Sequence, residues 1–134
     1  TFASGPLNLK DIEREYPLDV PGHQAFLIEI NDDIAGYCFL RPFKDRIAYN
    51  RTTTVGMFLN PGFIGKGIGP TAIRYLEDVA RKENRQVILA YLTEENMPAV
   101  RLMEKSGFIK CGHFKRVGEK FNRVLDVVYY QKEL

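Results

Sequence analysis

The sequence predicts an α/β fold of the layered α+β type, a mixed, mainly antiparallel sheet flanked by helices, in a single domain over residues 1–134. Three observations predict it. Short apolar runs separated by turn signals fill the first half of the chain. The stretch Pro61 to Thr71, P-G-F-I-G-K-G-I-G-P-T, ties a strand-like run to a helical rhythm through closely spaced glycines. A mostly apolar run, Val87-Ile88-Leu89-Ala90-Tyr91, is then followed by a second helix and two more strands.

Taken in order, Asn8 is positioned to cap a short helix over residues 9–16, and residues 18–22 form a proline-bounded loop. Residues 24–30 read as a strand, Asn31-Asp32-Asp33 as a hairpin turn, and residues 34–40 as the returning strand. Arg41 to Arg46 is a loop rich in cations, and residues 49–60 form a third strand that ends on Pro61, completing an antiparallel meander. Ile68, Ala72, Tyr75, Leu76, Val79 and Ala80 recur at helical spacing, which predicts a helix over 69–83. Residues 87–91 suit a central strand covered on both faces. Asn96 caps a second helix, with Pro98 in its first turn and Gly107 as its C-terminal stop. Residues 108–114 and 124–131 are strands joined by a loop over 115–123.

Composition narrows the function. Nineteen Lys and Arg against seventeen Asp and Glu leave 19 − 17 = +2, with no basic block, so nucleic acid is not expected as a partner. No apolar run is long enough to span a bilayer and no signal-peptide pattern opens the chain, so no membrane partner and a cytoplasmic location are expected. Cys38 and Cys111 lack His or Cys neighbours at ligand spacing and are expected to be buried, reduced thiols; no metal-ligand cluster is expected anywhere.

The glycine stretch carries the chemistry. A strand, a glycine turn and a helix start together present unpaired N–H groups and a positive dipole end to an anion. Gly65, Gly67 and Gly69 let the backbone take positive φ and approach a ligand, and Pro70 suits a first helical turn. A magnesium-dependent phosphate loop would need Ser or Thr after Lys66, where Gly67 stands; the dinucleotide fingerprint G-x-G-x-x-G is broken as well. A pyrophosphate cradle of another type remains.

The strand, then Ile64 to Gly69, then Asn96 through Glu104-Lys105-Ser106-Gly107-Phe108, resembles the GNAT N-acetyltransferase superfamily. Gly36-Tyr37, Pro42-Phe43, Tyr49, Val117 to Phe121 and Leu125 to Val128 look like its phosphinothricin and methionine sulfoximine branch, which acetylates amino-acid-like amines. Members of that branch begin with a further strand and helix, so the resemblance implies a GNAT-like domain that is N-terminally short. It also implies acetyl-CoA as co-substrate with no metal, a small-molecule amine as the other substrate, and a homodimer. Carried onto this chain, Met57, Phe58 and Leu59 would offer strand-edge groups to the pantetheine arm. Gly65, Lys66, Gly67, Ile68 and Gly69 would hold the pyrophosphate, within a segment that Pro70 completes without donating, and Asn96 would bond the cofactor arm while also capping its helix. Lys44 and Arg46 would meet a substrate carboxylate. Thr54, in the substrate region, occupies the place of the branch's usual Glu, Met103 that of its Tyr or His, and Ile64 that of its Arg or Gln. Tyr49, Glu29, Asp45 and His113 stand as unranked substitutes for the missing base. The alternative is a catalytically weak CoA-binding sensor or interaction module, favoured by Thr54 and Met103.

Overall fold

The computed structural model describes residues 22–134, which form six strands and two α-helices. They are β1 (Gln24–Ile30), β2 (Asp33–Pro42), β3 (Thr52–Leu59), α1 (Ile68–Lys82), β4 (Val87–Thr93), α2 (Met97–Lys105), β5 (Ile109–Lys120) and β6 (Arg123–Glu133). The expected helix over 9–16 lies outside the described residues, as does all of the expected loop over 18–22 except Gly22. The strands form one sheet in the order β1-β2-β3-β4-β6-β5. Its ladders are antiparallel except between β3 and β4, which α1 connects in parallel.

Side-chain alternation sorts the sheet into two faces. One carries Cys38, Leu40, Val55, Ile88, Ala90, Leu92, Val128 and Tyr130. Against it pack Ala72, Ile73, Leu76 and Ala80 of α1, whose spacing makes one helical stripe, and Met103 of α2. Tyr37 and Phe39 lie on the opposite face with Ala25, Leu27 and Phe58. Alternation also corrects the expectation for β4: Ile88, Ala90 and Leu92 are buried, while Val87, Leu89 and Tyr91 are only half-buried. Its second face is therefore less covered than its apolar run suggests.

Turn chemistry fixes the boundaries. Asn31 and Asp32 take φ of 51° and 70°, the paired left-handed conformation of a tight hairpin turn. Phe121 and Asn122 do the same, at 51° and 61°. The stretch 115–123 is accordingly a strand hairpin rather than the expected loop; a bulge between Phe114 and Gly118 lets β5 stay paired with β6. Tyr49 belongs to a 3₁₀ turn, Ile47–Tyr49, so the third strand begins only at Thr52. Helix α2 ends as expected, with Gly107 at φ 89° and the paired bonds Gly107 N to Glu104 O and Phe108 N to Met103 O, at 3.2 and 3.0 Å.

Candidate functional site

The ladder between β3 and β4 is short. Only Thr52, Thr53 and Thr54 pair with Val87, Ile88 and Leu89; beyond them the strands part. On its other edge β3 stays paired with β2 as far as Leu59. The edge over Val55 to Leu59, including the expected Met57, Phe58 and Leu59, therefore faces the gap without a strand partner among the described residues. An unpaired edge of this kind can bond an extended amide-containing chain as a neighbouring strand would.

The gap runs into the glycine turn. Gly65 and Gly67 have φ of 80° and 78°, which a side chain would resist, and no atom lies within 4 Å of where their Cβ would stand. Gly67 is the N-cap of α1 and offers no side-chain cap, so Ile68 and Gly69 open the helix as donors without an intrahelical acceptor. Gly69 serves another purpose than positive φ: it is helical, and a Cβ there would meet Leu102 of α2 at 3.1 Å, so it lets the two helices approach. Pro70 sits in the first turn as expected. Lys66 stands 5.9 Å from the Phe63 ring centre, and Ile64 is exposed. Asn96 caps α2, its Oδ1 accepting from Ala99 N at 3.3 Å. These residues fit a ligand with an amide-bearing arm and a diphosphate: an open strand edge, an uncapped helix start, and space where side chains are missing.

The sheet face away from the helices holds a group that sequence reasoning missed. Arg41 is the cross-strand partner of Thr54, and its carbonyl accepts from Thr53 Oγ1 at 3.0 Å. Its guanidinium lies 5.5 Å from the Phe39 ring and 5.2 Å from the Tyr91 ring, and donates through Nη2 to the Tyr91 hydroxyl. Tyr91 is stacked on Tyr129 at 5.6 Å, and Phe114 meets Tyr129 edge-on at 5.2 Å. Phe39 can lie over β3 because Gly56 has no side chain: a Cβ there would fall 2.2 Å from the ring. Alternation at 37, 39 and 41 was the available signal for this face, but the sequence assigns Arg41 to a loop.

Of the expected substrate residues, Thr54 is buried at the parting of the strands, whereas Lys44 and Arg46 are exposed on the β2–β3 connection. Lys44 lies 5.2 Å from the Phe43 ring, which Tyr49 meets edge-on at 5.9 Å. Met103 is buried in the core. Glu29 and Asp45 are exposed. His113 is committed elsewhere: its Nε2 lies 2.8 Å from Asp126 Oδ2 and 3.5 Å from Glu94 Oε2, and its Nδ1 lies 3.5 Å from Lys110 Nζ. The bond from His113, and then the Arg116 amide donating to Asp126 Oδ1 at 2.8 Å, hold the Asp126 carboxyl below its ordinary range. Contrary to expectation, Glu94, His113 and Asp126 thus form a metal-ligand-type grouping, with ligand atoms within 4.8 Å of one another. Three separate elements supply them, so no sequence spacing could show it. The thiols differ as well: both are free, but only Cys38 is buried, and Cys111 is exposed.

Comparison with known proteins agrees with this architecture. The model of the acetyltransferase (GNAT) family matches residues 3–108. The chain is 30% identical over 139 residues to the phosphinothricin N-acetyltransferase of Streptomyces coelicolor, covering all of this chain and 81% of that protein. It is 27% identical over 113 residues to the L-methionine sulfoximine/L-methionine sulfone acetyltransferase of Salmonella typhimurium, covering 84% of this chain and 66% of the relative. An acetyltransferase-like protein of Salmonella typhimurium, solved with its cofactor acetyl-CoA, superposes with a TM-score of 0.78 at 27% identity, over 84% of this chain and 65% of that one. The chain thus spans about two thirds of the length of these last two proteins.

Proposed function

Because this chain belongs to the acetyltransferase (GNAT) family, we propose that it transfers an acetyl group from acetyl-CoA to the amine of a small amino-acid-like substrate by direct attack in a ternary complex. The observation that carries this reading is the parting of β3 from β4 after three rungs, which leaves a strand edge leading to an uncapped, glycine-lined helix start.

Acetyl-CoA supplies an acyl group already activated as a thioester, so the protein's task is alignment and charge stabilisation. The unpaired edge from Val55 to Leu59 holds the pantetheine arm in extended form, and Asn96 borders that arm from the start of α2. The amides of Gly67, Ile68 and Gly69 and the dipole of α1 hold the diphosphate, with Lys66 beside them. Neither Thr54 nor Met103 serves as base or acid at neutral pH, so the amine enters neutral. Its nitrogen bonds to the thioester carbonyl carbon and loses a proton to solvent, and the C–S bond breaks to release the coenzyme A thiolate, which takes a proton from solvent. The similarity to phosphinothricin and methionine sulfoximine acetyltransferases supports an amino-acid-like acceptor.

In the same reading the protein is a cytoplasmic homodimer, for which two free thiols and an apolar hairpin speak. Ile109, Phe114, Val117, Phe121 and Val124 of β5, β6 and their turn are all more than half exposed, apolar surface that a second copy would cover. A monomeric mass in light scattering would remove that part of the proposal.

Isothermal titration with acetyl-CoA, followed by turnover on free amino acids and sulfoximines, tests the whole reading. Micromolar binding with turnover is expected. Absence of binding would overturn it, and binding without turnover on any amine would leave a CoA-binding module instead.

A further inference from the structure

We propose that Arg41, held between Phe39 and Tyr91, is the residue that binds the acidic group of the acceptor and so sets the preference for amino-acid-like amines. This rests on the acetyltransferase reading and adds to it a residue that no sequence motif indicated.

Four observations converge on Arg41. The first is a charge with no carboxylate beside it among the described residues. The guanidinium is half-buried, and among the described residues no carboxylate lies within ion-pair distance of it. A guanidinium has five N–H donors, and among the described residues only the Tyr91 hydroxyl accepts from them. Partly buried charges are normally paired, so a site left open in this way suits an anion that arrives from outside.

The second is position. Arg41 stands opposite Thr54, the last residue of β3 that still pairs with β4. Its side chain starts on β2 and reaches Tyr91 on β4, so it crosses β3 where the two strands part. A group bound there sits next to the gap assigned to the acyl donor, on the face that α1 and α2 leave uncovered.

The third is rigidity. Phe39 is placed by Gly56, where a Cβ would fall 2.2 Å from its ring, and is stacked on Tyr37 at 6.2 Å. Tyr91 is backed by Tyr129 at 5.6 Å, and Tyr129 by Phe114 at 5.2 Å. The Phe39 ring and the hydroxyl end of Tyr91 thus border the guanidinium and leave its remaining N–H groups for bidentate recognition of a carboxylate or a similar oxyacid. Because Arg41 donates to the Tyr91 oxygen, the phenolic O–H is free to donate to the same anion.

The fourth is contrast with the expected cations. Lys44 and Arg46 are exposed, and a solvated cation contributes less to holding an anion than a half-buried one.

The test uses the intact protein, acetyl-CoA, and two acceptors, L-methionine sulfoximine and its carboxamide. A charge-assisted contact of this kind corresponds to roughly 10- to 100-fold in kcat/KM, and wild-type protein is expected to favour the carboxylate by that factor. In R41Q the two acceptors should become nearly equal, through a rise in KM for the carboxylate, with the KM for acetyl-CoA unchanged. R41K, which keeps charge without the fork, should retain part of the preference and serves if R41Q does not fold. Y91F should lower the preference several-fold. A carboxylate preference that survives in both Arg41 variants would overturn the assignment. So would a fall in kcat alone with the preference intact, which would place the guanidinium at the reacting carbonyl. If wild-type protein acetylates neither acceptor nor any free amino acid, the acetyltransferase reading itself has failed, and that is seen before any variant is made.

Discussion

At the scale of single residues, Cys38 and Cys111 look alike in the sequence and differ in the fold. Cys38 of β2 packs in the core, and burial pushes its thiol from 9.0 up to about 12. Cys111 is exposed on β5. A thiol reagent under native conditions should therefore modify Cys111 quickly and Cys38 only as fast as the protein opens. Equal rates at the two sites would contradict the packing. The sign of the pH effect follows from the raised value. The folded state keeps the Cys38 proton to higher pH than the unfolded chain does, so stability from this site is complete below about pH 9 and is lost as pH rises toward about 12. The slope is at most about 1.4 kcal/mol per pH unit, measurable as a falling denaturant midpoint that flattens in C38A. Burial of single residues is the part of the molecule the sequence shows least well. Cys111 belongs to a strand whose pairing depends on a bulge, and no local pattern marks which face it takes.

At the scale of elements, the glycine turn was legible because each of its residues acts locally. Positive φ at Gly65 and Gly67, proline in the first helical turn, and the Asn96 cap of α2 are all properties of short segments. Even so, the three glycines divide by role. Alanine at Gly67 must hold a left-handed conformation at about 1–2 kcal/mol, and it places a methyl where the structure leaves open space. Its expected consequence is acetyl-CoA affinity weakened about tenfold or more, read by titration. Alanine at Gly69 is already in helical geometry and meets only the flexible end of Leu102 at 3.1 Å, so binding should change much less and stability little. Equal losses at the two positions would mean that the turn acts through helix packing rather than through exposed amides. The hairpin turn at Phe121 and Asn122 was less legible, because a phenylalanine in a left-handed turn runs against local preference and is maintained by the long β5–β6 ladder.

At the scale of the whole molecule, the decisive feature is one that no segment contains. The antiparallel meander β1-β2-β3 and the group β4-β6-β5 meet in only three parallel rungs, with α1 bridging them. The sequence indicates both groups of strands but not how far their junction extends, since β3 and β4 are each long enough to pair further. The same holds for Arg41, whose partners come from β2 and β4. A sheet divided in this way should be stabilised by whatever fills the gap. At a hundredfold excess of acetyl-CoA over its dissociation constant, mass action gives about 2.7 kcal/mol, a rise of about 10 degrees in Tm. The location of that stabilisation distinguishes strand-edge binding from binding at the glycine turn alone. In a strand, successive N–H groups point to opposite neighbours, so only alternate amides between Val55 and Leu59 face the gap while the others are bonded to β2. Hydrogen exchange followed by NMR should show those alternate amides slowing when acetyl-CoA binds, with their neighbours slow throughout. Protection confined to Gly67 through Gly69 would mean that the diphosphate is held and the arm is not. The β3 edge would then lose the role that its missing strand partner suggests.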